Sequence, residues 1–357
     1  MSGSFKIGVV GAGAIATYGH IPAFQAIPGV EVAAICDSNL ERAQAAATRF
    51  AIPHAYADYQ EMIDKSDLNA ISVGVPNALH APVALAGLAK GLHVFCEKPM
   101  ATSVADGEAM VAAAKKAGTV LAINMSNRPR PEVLFMRKAI AEGYLGKVSY
   151  AYGRLIRRVG IPGFGSWFTR KELSGGGSLM DIGVHMLDMV MYTLNFPTIS
   201  AVRGETQMVH GPQGRGLGGW GMDKIPGGTY DVDDLAAIHL RMADGGLITI
   251  EVTWAFYGRN EERIQIAGSE AGFDFFPTLY GETQPMRVYR DDAIGPVELI
   301  PNVPKSDERP WTVGMSRFVD ACHGKGEAVA NGEDGLKILR LLDATNRSAA
   351  EKREITL

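Results

Sequence analysis

The sequence predicts an α/β chain of two domains, a parallel sheet covered by helices and then an α+β domain on an open, mostly antiparallel sheet. Its first third alternates short apolar runs with helical periodicity, the pattern of a parallel sheet buried on both faces. From about residue 148 the strand-like stretches lengthen and alternate apolar with polar residues, as strands with one buried face do. The length, 357 residues, exceeds what one ordinary core supports.

In the first domain, KIGVV (Lys6–Val10), VEVAAIC (Val30–Cys36), Ala70–Val75, HVFC (His93–Cys96) and Val120–Asn124 read as strands. Ile15–Ala26, Leu40–Phe50, Ala78–Lys90 and Ser103–Ala117 read as helices between them. In the second, helix Pro131–Glu142 precedes strands Val148–Arg158, Ile199–Gln207, Leu235–Met242, Leu247–Trp254 and Arg263–Ala267, with a hairpin turn at Ala243–Gly246. Helices Trp311–His323 and Gly335–Glu351 close the chain. The boundary falls near residue 124, giving domains 1–124 and 125–357, with the last helices free to pack back on the first domain. A Gly- and Pro-rich stretch, Gly211–Gly228, is either a functional loop or a solvent-exposed insertion.

A formal net charge of −4 argues against nucleic acid or an anionic membrane as partner. No run nears the ~18 apolar residues of a membrane span, and the N-terminal apolar run lacks the flanks of a signal peptide. Three cysteines, Cys36, Cys96 and Cys322, without CxxC spacing fit neither a disulfide framework nor a cysteine-ligated zinc. A cytoplasmic location is expected.

GAGAIA, residues 11–16, follows the first strand directly and has the form GxGxxA. Gly11 allows the tight turn, Gly13 lets a pyrophosphate approach the backbone, and Ala16 lets the helix pack on the strand. The N–H groups that open the helix, from Ala14 and Ile15 onward, face the phosphates. Asp37 ends the second strand, where a carboxylate accepts the adenosine ribose hydroxyls and repels a 2′-phosphate. NAD is therefore expected over NADP, although Ser38 and Arg42 lie close enough to hold a phosphate. The plain alternative is a glycine turn without ligand and an Asp37 that caps the next helix.

Lys98, in CEKPM, leaves the strand HVFC at its carboxyl end, where open parallel sheets bind ligands. Without that context it would be a solvated surface lysine. In GGGSLMDIGVHMLDM, residues 175–189, an apolar helix carries Asp181 and His185 four residues apart on one face, with Asp188 on the same side. Leu179, Ile182, Met186 and Met189 serve its packed sides. His185 can accept a proton, Lys98 can stabilise an alkoxide, and Asp181 can orient a substrate hydroxyl or hold Lys98. Asp188 either orients the imidazole or is structural. A buried histidine satisfied by a carboxylate is the simpler reading of this helix by itself. A metal site from DxxxH lacks a third ligand.

Together, GAGAIA, VPNALHAPVALAGLAKGLHVFCEKP and GGGSLMDIGVHMLD resemble the Gfo/Idh/MocA family of glucose–fructose oxidoreductase, inositol dehydrogenase and relatives, over nearly the whole chain. The resemblance implies an N-terminal Rossmann domain, an open C-terminal sheet whose face forms a homodimer or homotetramer, and NAD(P)-dependent chemistry on a sugar or cyclitol hydroxyl. It implies that Lys98 contacts the reacting hydroxyl and that Asp181 and His185 complete the catalytic group, with His185 as proton acceptor. Some relatives carry Tyr at that position. Asn77 and His80 match positions near the nicotinamide ribose, and Glu97 of the EKP motif is grouped with them on the cofactor side.

For the substrate, Trp167 or Phe168 offers a ring to stack on a pyranose, and Tyr152, Arg154, Arg157 and Arg158 lie on the strand before the helix. Trp167 and Arg157 are the contacts preferred, though alternate arginines on a strand also simply face water. Three activities follow: a net sugar or cyclitol dehydrogenase; a redox-cycling glycosidase or epimerase that keeps its NAD and releases no NADH; and, least favoured, a non-catalytic nucleotide sensor.

Overall fold

The computed structural model describes residues 4–277, 286–304, 306 and 308–357, which divide into two compact units. The first comprises the chain up to Ser126 with Glu172–Gly175 and Glu308–Leu339. Its strands are β1 (Phe5–Val10), β2 (Val30–Cys36), β3 (His54–Tyr56), β4 (Ala70–Val73), β5 (His93–Cys96) and β6 (Leu121–Ile123). They form a parallel sheet in the order β3-β2-β1-β4-β5-β6, so the order reverses between β1 and β4. Dinucleotides bind at such a switch point.

Helices α1 (Ile21–Gln25), α2 (Leu40–Phe50), α3 (Tyr59–Lys65), α4 (His80–Ala89) and α5 (Val104–Ala117) connect the strands. The first departs from the α-helix expected from periodicity. Residues Ala16–His20 form a π-turn, closed by Ile21 N–H donating to Ala16 O. Pro22 follows at once and has no N–H for the preceding turn, which favours such local rewinding. The pair β3 and α3 escaped the periodicity reading because β3 is three residues long and lacks a fully buried position. Two more helices follow in chain order, α6 (Pro131–Ala141) and the short α7 (Lys171–Ser174).

The second unit comprises Asn127–Lys171, Gly176–Asp307 and Arg340–Leu357. Its strands are β7 (Val148–Ile156), β8 (Ile199–Gln207), β9 (Leu235–Met242), β10 (Leu247–Thr253), β11 (Glu261–Gly268), β12 (Ala271–Phe275), β13 (Arg287–Asp292), β14 (Gly295–Leu299) and β15 (Ile355–Thr356). The sheet order is β14-β13-β12-β11-β7-β10-β9-β8-β15. Every neighbouring pair is antiparallel except β7 and β10, which run parallel. Helix α8 (Val184–Thr193) lies in the long connection that such a parallel pair requires. Gly153 on β7 leaves room for it: a Cβ there would come within 2.8 Å of Met186.

Side chains that alternate away from this core form a charged ladder. Tyr152 donates to Glu251 at 2.8 Å, and Arg154 pairs with Glu251 and Glu261 at 3.2 and 2.8 Å. Tyr152 and Arg154, placed by sequence near the substrate, are thus occupied in cross-strand pairing. Helix α9 (Pro310–Cys322) belongs to the first unit, where Phe318 packs its ring against Phe95 and Phe24. Helix α10 (Gly332–Glu351) begins in the first unit and ends in the second.

Candidate active site

The loop after β1 is built for a close ligand. Gly11 has φ +99°, and a Cβ on it would lie 2.3 Å from Gly74 O, so only glycine lets the β1 and β4 exits touch. At Gly13 the opposite holds: an added Cβ meets nothing within 4 Å, which leaves the backbone open to a phosphate. Ala14 and Ile15 start the helical run and are half-buried, while Ala16 is fully buried against the core. Asp37 Oδ2 accepts Ala12 N–H at 2.9 Å and Oδ1 accepts Asn39 N–H at 2.9 Å, tying the acid to the glycine loop. The cap of α2 is Asn39, which accepts Arg42 N–H, so Asp37 is not the capping residue. Ser38 is exposed and Arg42 half-buried on the first turn of α2. These residues fit a bound dinucleotide: Gly13 and the helix start at its pyrophosphate, Asp37 at its adenosine ribose.

Beneath Lys98 lies a buried polar network absent from the sequence reading. Glu97 Oε1 faces His20 Nε2 at 2.9 Å and accepts Asn124 Nδ2 at 2.6 Å; Oε2 accepts Lys98 N–H at 3.2 Å. His20 Nδ1 lies 2.8 Å from Ser72 Oγ. Burial raises the Glu97 pKa, but the hydrogen bond and charge of His20, with Lys98 and Asn124, outweigh it and bring the group down to about 2. Glu97 therefore anchors the lysine's backbone from below. Lys98 itself is half-buried and joined to Pro99 by a cis peptide bond.

Buried His80 places Nδ1 2.7 Å from Pro99 O and Nε2 3.0 Å from Val75 O, bracing the β4 and β5 exits. Burial pushes its pKa below 6.5, against the pull of the Pro99 carbonyl. Asn77, also buried, donates to Ser174 O at 2.8 Å.

In the second unit, Leu179–Gly183 form a π-turn, closed by Val184 N–H donating to Leu179 O, and α8 follows. One straight α-helix was the expectation; a π-turn at Asp181 is the finding, a feature enriched at functional sites. From Leu179 to Met191 every residue is buried except Asp181 and His185, which are half-exposed together. Asp181 and His185 thus share the polar face the spacing anticipated, while Asp188, expected on the same side, is buried. Asp181 Oδ2 accepts the indole N–H of Trp254 at 2.9 Å. Asp188 is held by a buried arginine: Arg128 Nε donates to Oδ2 at 3.0 Å and Nη2 to Oδ1 at 2.6 Å, both residues being buried.

Of the three glycines ahead of Asp181, Gly177 makes a close approach to backbone. A Cβ on Gly177 would lie 1.8 Å from Asp233 O. The Asp233 carboxylate accepts Gly177 N–H, Leu179 N–H and the Ser178 hydroxyl at 2.8, 2.9 and 2.7 Å, capping this helix from a distant strand start. Next to it, Asp234 accepts the N–H groups of Val209, His210 and Gly211. The segment DVDD, 231–234, was the legible but unread signal for both.

The glycine-rich loop Gly211–Gly228 is stitched to the segment after β7. Gly160 and Ile161 donate to Gly216 O, Gly218 to Ile161 O, Gly163 to Trp220 O and Ile225 to Phe164 O. Trp167 stacks on Phe168 at 3.8 Å within this segment, and both are half-buried. Arg157 continues β7 through its N–H to Thr253 O, while Arg158 is exposed. Among the described residues no group of three His, Cys, Asp or Glu could hold a metal, and no helix is long and apolar enough to cross a membrane.

Fold and loop together define a dinucleotide-binding Rossmann domain followed by an open-sheet domain. The family profile described as oxidoreductase family, NAD-binding Rossmann fold, matches residues 5–125, and the GFO/IDH/MocA C-terminal domain matches 133–274. The chain belongs to the Gfo/Idh/MocA family. It is 31% identical to D-glucoside 3-dehydrogenase of Escherichia coli (strain K12), over 100% of this chain and 98% of that protein. With levoglucosan dehydrogenase of Pseudarthrobacter phenanthrenivorans it shares 30% identity over 98% and 97% of the two chains. Levoglucosan dehydrogenase in complex with NADH and levoglucosan superposes with a TM-score of 0.84 at 25% identity, covering 99% of each chain. Aldose–aldose oxidoreductase from Caulobacter crescentus, complexed with glycerol, gives 0.81 at 27%, covering 99% and 100%.

Proposed function

We propose that the protein oxidises a ring hydroxyl of a sugar or cyclitol, with NAD as hydride acceptor. Bound NAD+ supplies the hydride sink. Lys98 donates to the reacting oxygen and stabilises its developing negative charge. His185, neutral, takes the hydroxyl proton. Asp181 orients a neighbouring hydroxyl, and the stacked Trp167 and Phe168 offer a ring face to a pyranose, with Arg157 nearby in sequence for a polar substituent. Asn77, His80 and Glu97 brace the strand exits on the nicotinamide side. Asp37 favours NAD over NADP, since a 2′-phosphate would meet its carboxylate; Ser38 and Arg42 are the groups that would soften that preference.

The observation that carries this reading is the helix 179–191, apolar and buried except where Asp181 and His185 open together. Two relatives spanning almost the full chain are named for glucoside and levoglucosan dehydrogenation, so a glucoside is the first substrate to try. The structural likeness to an aldose–aldose oxidoreductase favours one second reading, a cycle that returns the hydride to a sugar and releases no NADH.

A panel of glucosides, free sugars and inositols with NAD or NADP separates the two, read by absorbance at 340 nm and by mass spectrometry of the sugar. Net NADH with altered sugar supports the dehydrogenase; altered sugar without NADH supports the cycle. Lys98→Met should keep NAD binding and lose at least ~100-fold in turnover, the scale of combined acid–base and electrostatic help. Wild-type turnover in that variant would refute the assignment.

A further inference from the structure

Trp254, directly after β10, is among the bulkiest wholly buried side chains of the described residues. Its indole N–H only donates, and it donates to Asp181 Oδ2 at 2.9 Å. One carboxylate oxygen of Asp181 thus accepts from a buried donor. The tryptophan is itself held: its backbone N–H donates to Asp234 O at 2.8 Å. Asp234 gathers the N–H groups of 209–211, and its neighbour Asp233 caps the helix on which Asp181 stands. The same two-residue segment therefore fixes both the backbone of Trp254 and the root of Asp181.

We propose that Trp254 is a positioning residue for sugar oxidation, fixing the Asp181 carboxylate as a hydroxyl acceptor while His185 carries the proton. This rests on the catalytic reading of Asp181 given above. A hydrogen bond from a buried donor to one carboxylate oxygen leaves the other oxygen to meet a substrate hydroxyl in a defined direction. The phenylalanine variant keeps an aromatic ring at this buried position, removes the donor and leaves a small cavity, which the comparison with the Asp181 variants separates from the lost hydrogen bond.

The test compares Trp254→Phe, Asp181→Ala and the double variant, assayed with NAD and methyl β-D-glucoside, or with whichever panel sugar is oxidised. Rates are expressed per NAD-binding site, so loss of folded protein is not counted as loss of chemistry. Trp254→Phe is expected to lower kcat about 10- to 100-fold with unchanged NAD affinity, the range for a lost hydrogen bond to a charged group. In the Asp181→Ala background it should add little, because its partner is already gone. A normal kcat in Trp254→Phe beside an impaired Asp181→Ala overturns the role of Trp254 and leaves the proposed function standing. A normal Asp181→Ala overturns the catalytic reading itself. Full additivity shows that Trp254 acts through another group and likewise overturns the proposal. If Trp254→Phe does not fold, the indole N–H resonances of the wild-type protein and Asp181→Ala decide: one of the four tryptophan signals should move upfield, and four unmoved signals refute the contact.

Discussion

Exchanging Asp188 for asparagine removes the charge opposite a wholly buried arginine and leaves the shape almost intact. Arg128 and Asp188 meet in a bidentate pair with contacts of 3.0 and 2.6 Å, each about 1% exposed or less. Breaking a buried ion pair by removing one partner costs about 3–5 kcal/mol, because the other charge stays in a low-dielectric site. Here the guanidinium also lies 4.7 Å from the ring centre of Tyr192 and 5.1 Å from that of Phe196. Such desolvated cation–π contacts hold the cation by up to ~2 kcal/mol, and the asparagine oxygen still accepts one hydrogen bond. The lower end, about 3 kcal/mol, is the expected loss, measured by urea unfolding at neutral pH followed by circular dichroism. The paired variant Arg128→Met with Asp188→Leu should lie well above the single variant, since an apolar pair carries no desolvation cost. A single variant within about 1 kcal/mol of wild type would refute this, as would a double variant less stable than the single.

Glu97 has its carboxyl lowered from 4.5 to about 2, so it contributes stability above pH 4.5 that is lost as the pH falls through that window. The stability difference between wild type and Glu97→Gln should shrink by ~3 kcal/mol between pH 6 and pH 2, and parallel pH curves would contradict it. Asp37→Ser should weaken NADH binding about tenfold, the worth of one hydrogen bond to a charged group, and narrow the preference over NADPH. Fluorescence titration with both nucleotides measures this; an unchanged ratio would remove Asp37 from cofactor choice.

Local signals were readable where chemistry repeats at short range. The glycine loop, Asp37 and the β–α alternation sit within one supersecondary unit, so spacing alone identifies them. Strands β8 and β9 were read to their ends because alternation records which face is buried. The half-exposed pair Asp181 and His185 followed from helical spacing, although the π-turn beneath Asp181 did not, since widening by one residue leaves the apolar pattern unchanged.

What stayed hidden are partners distant along the chain. Trp254 is 73 residues from Asp181, and Arg128 is 60 from Asp188. Nothing in MDIGVHMLDM shows that its last aspartate is spent on an arginine while its first is held by an indole. Likewise DVDD reads as an exposed acidic run until folding turns its two final carboxylates toward backbone N–H groups.

The sequence by itself determined the class of each sheet, though not the short strand β3 nor the strands after β11, together with the dinucleotide loop and the residue types available for hydride and proton transfer, because each depends on periodicity or on contacts within a few residues. Only the tertiary structure decided which donor each carboxylate meets. A buried charge must find its donor wherever the fold brings one, and that choice is made by packing across the sheet rather than by neighbours in the chain.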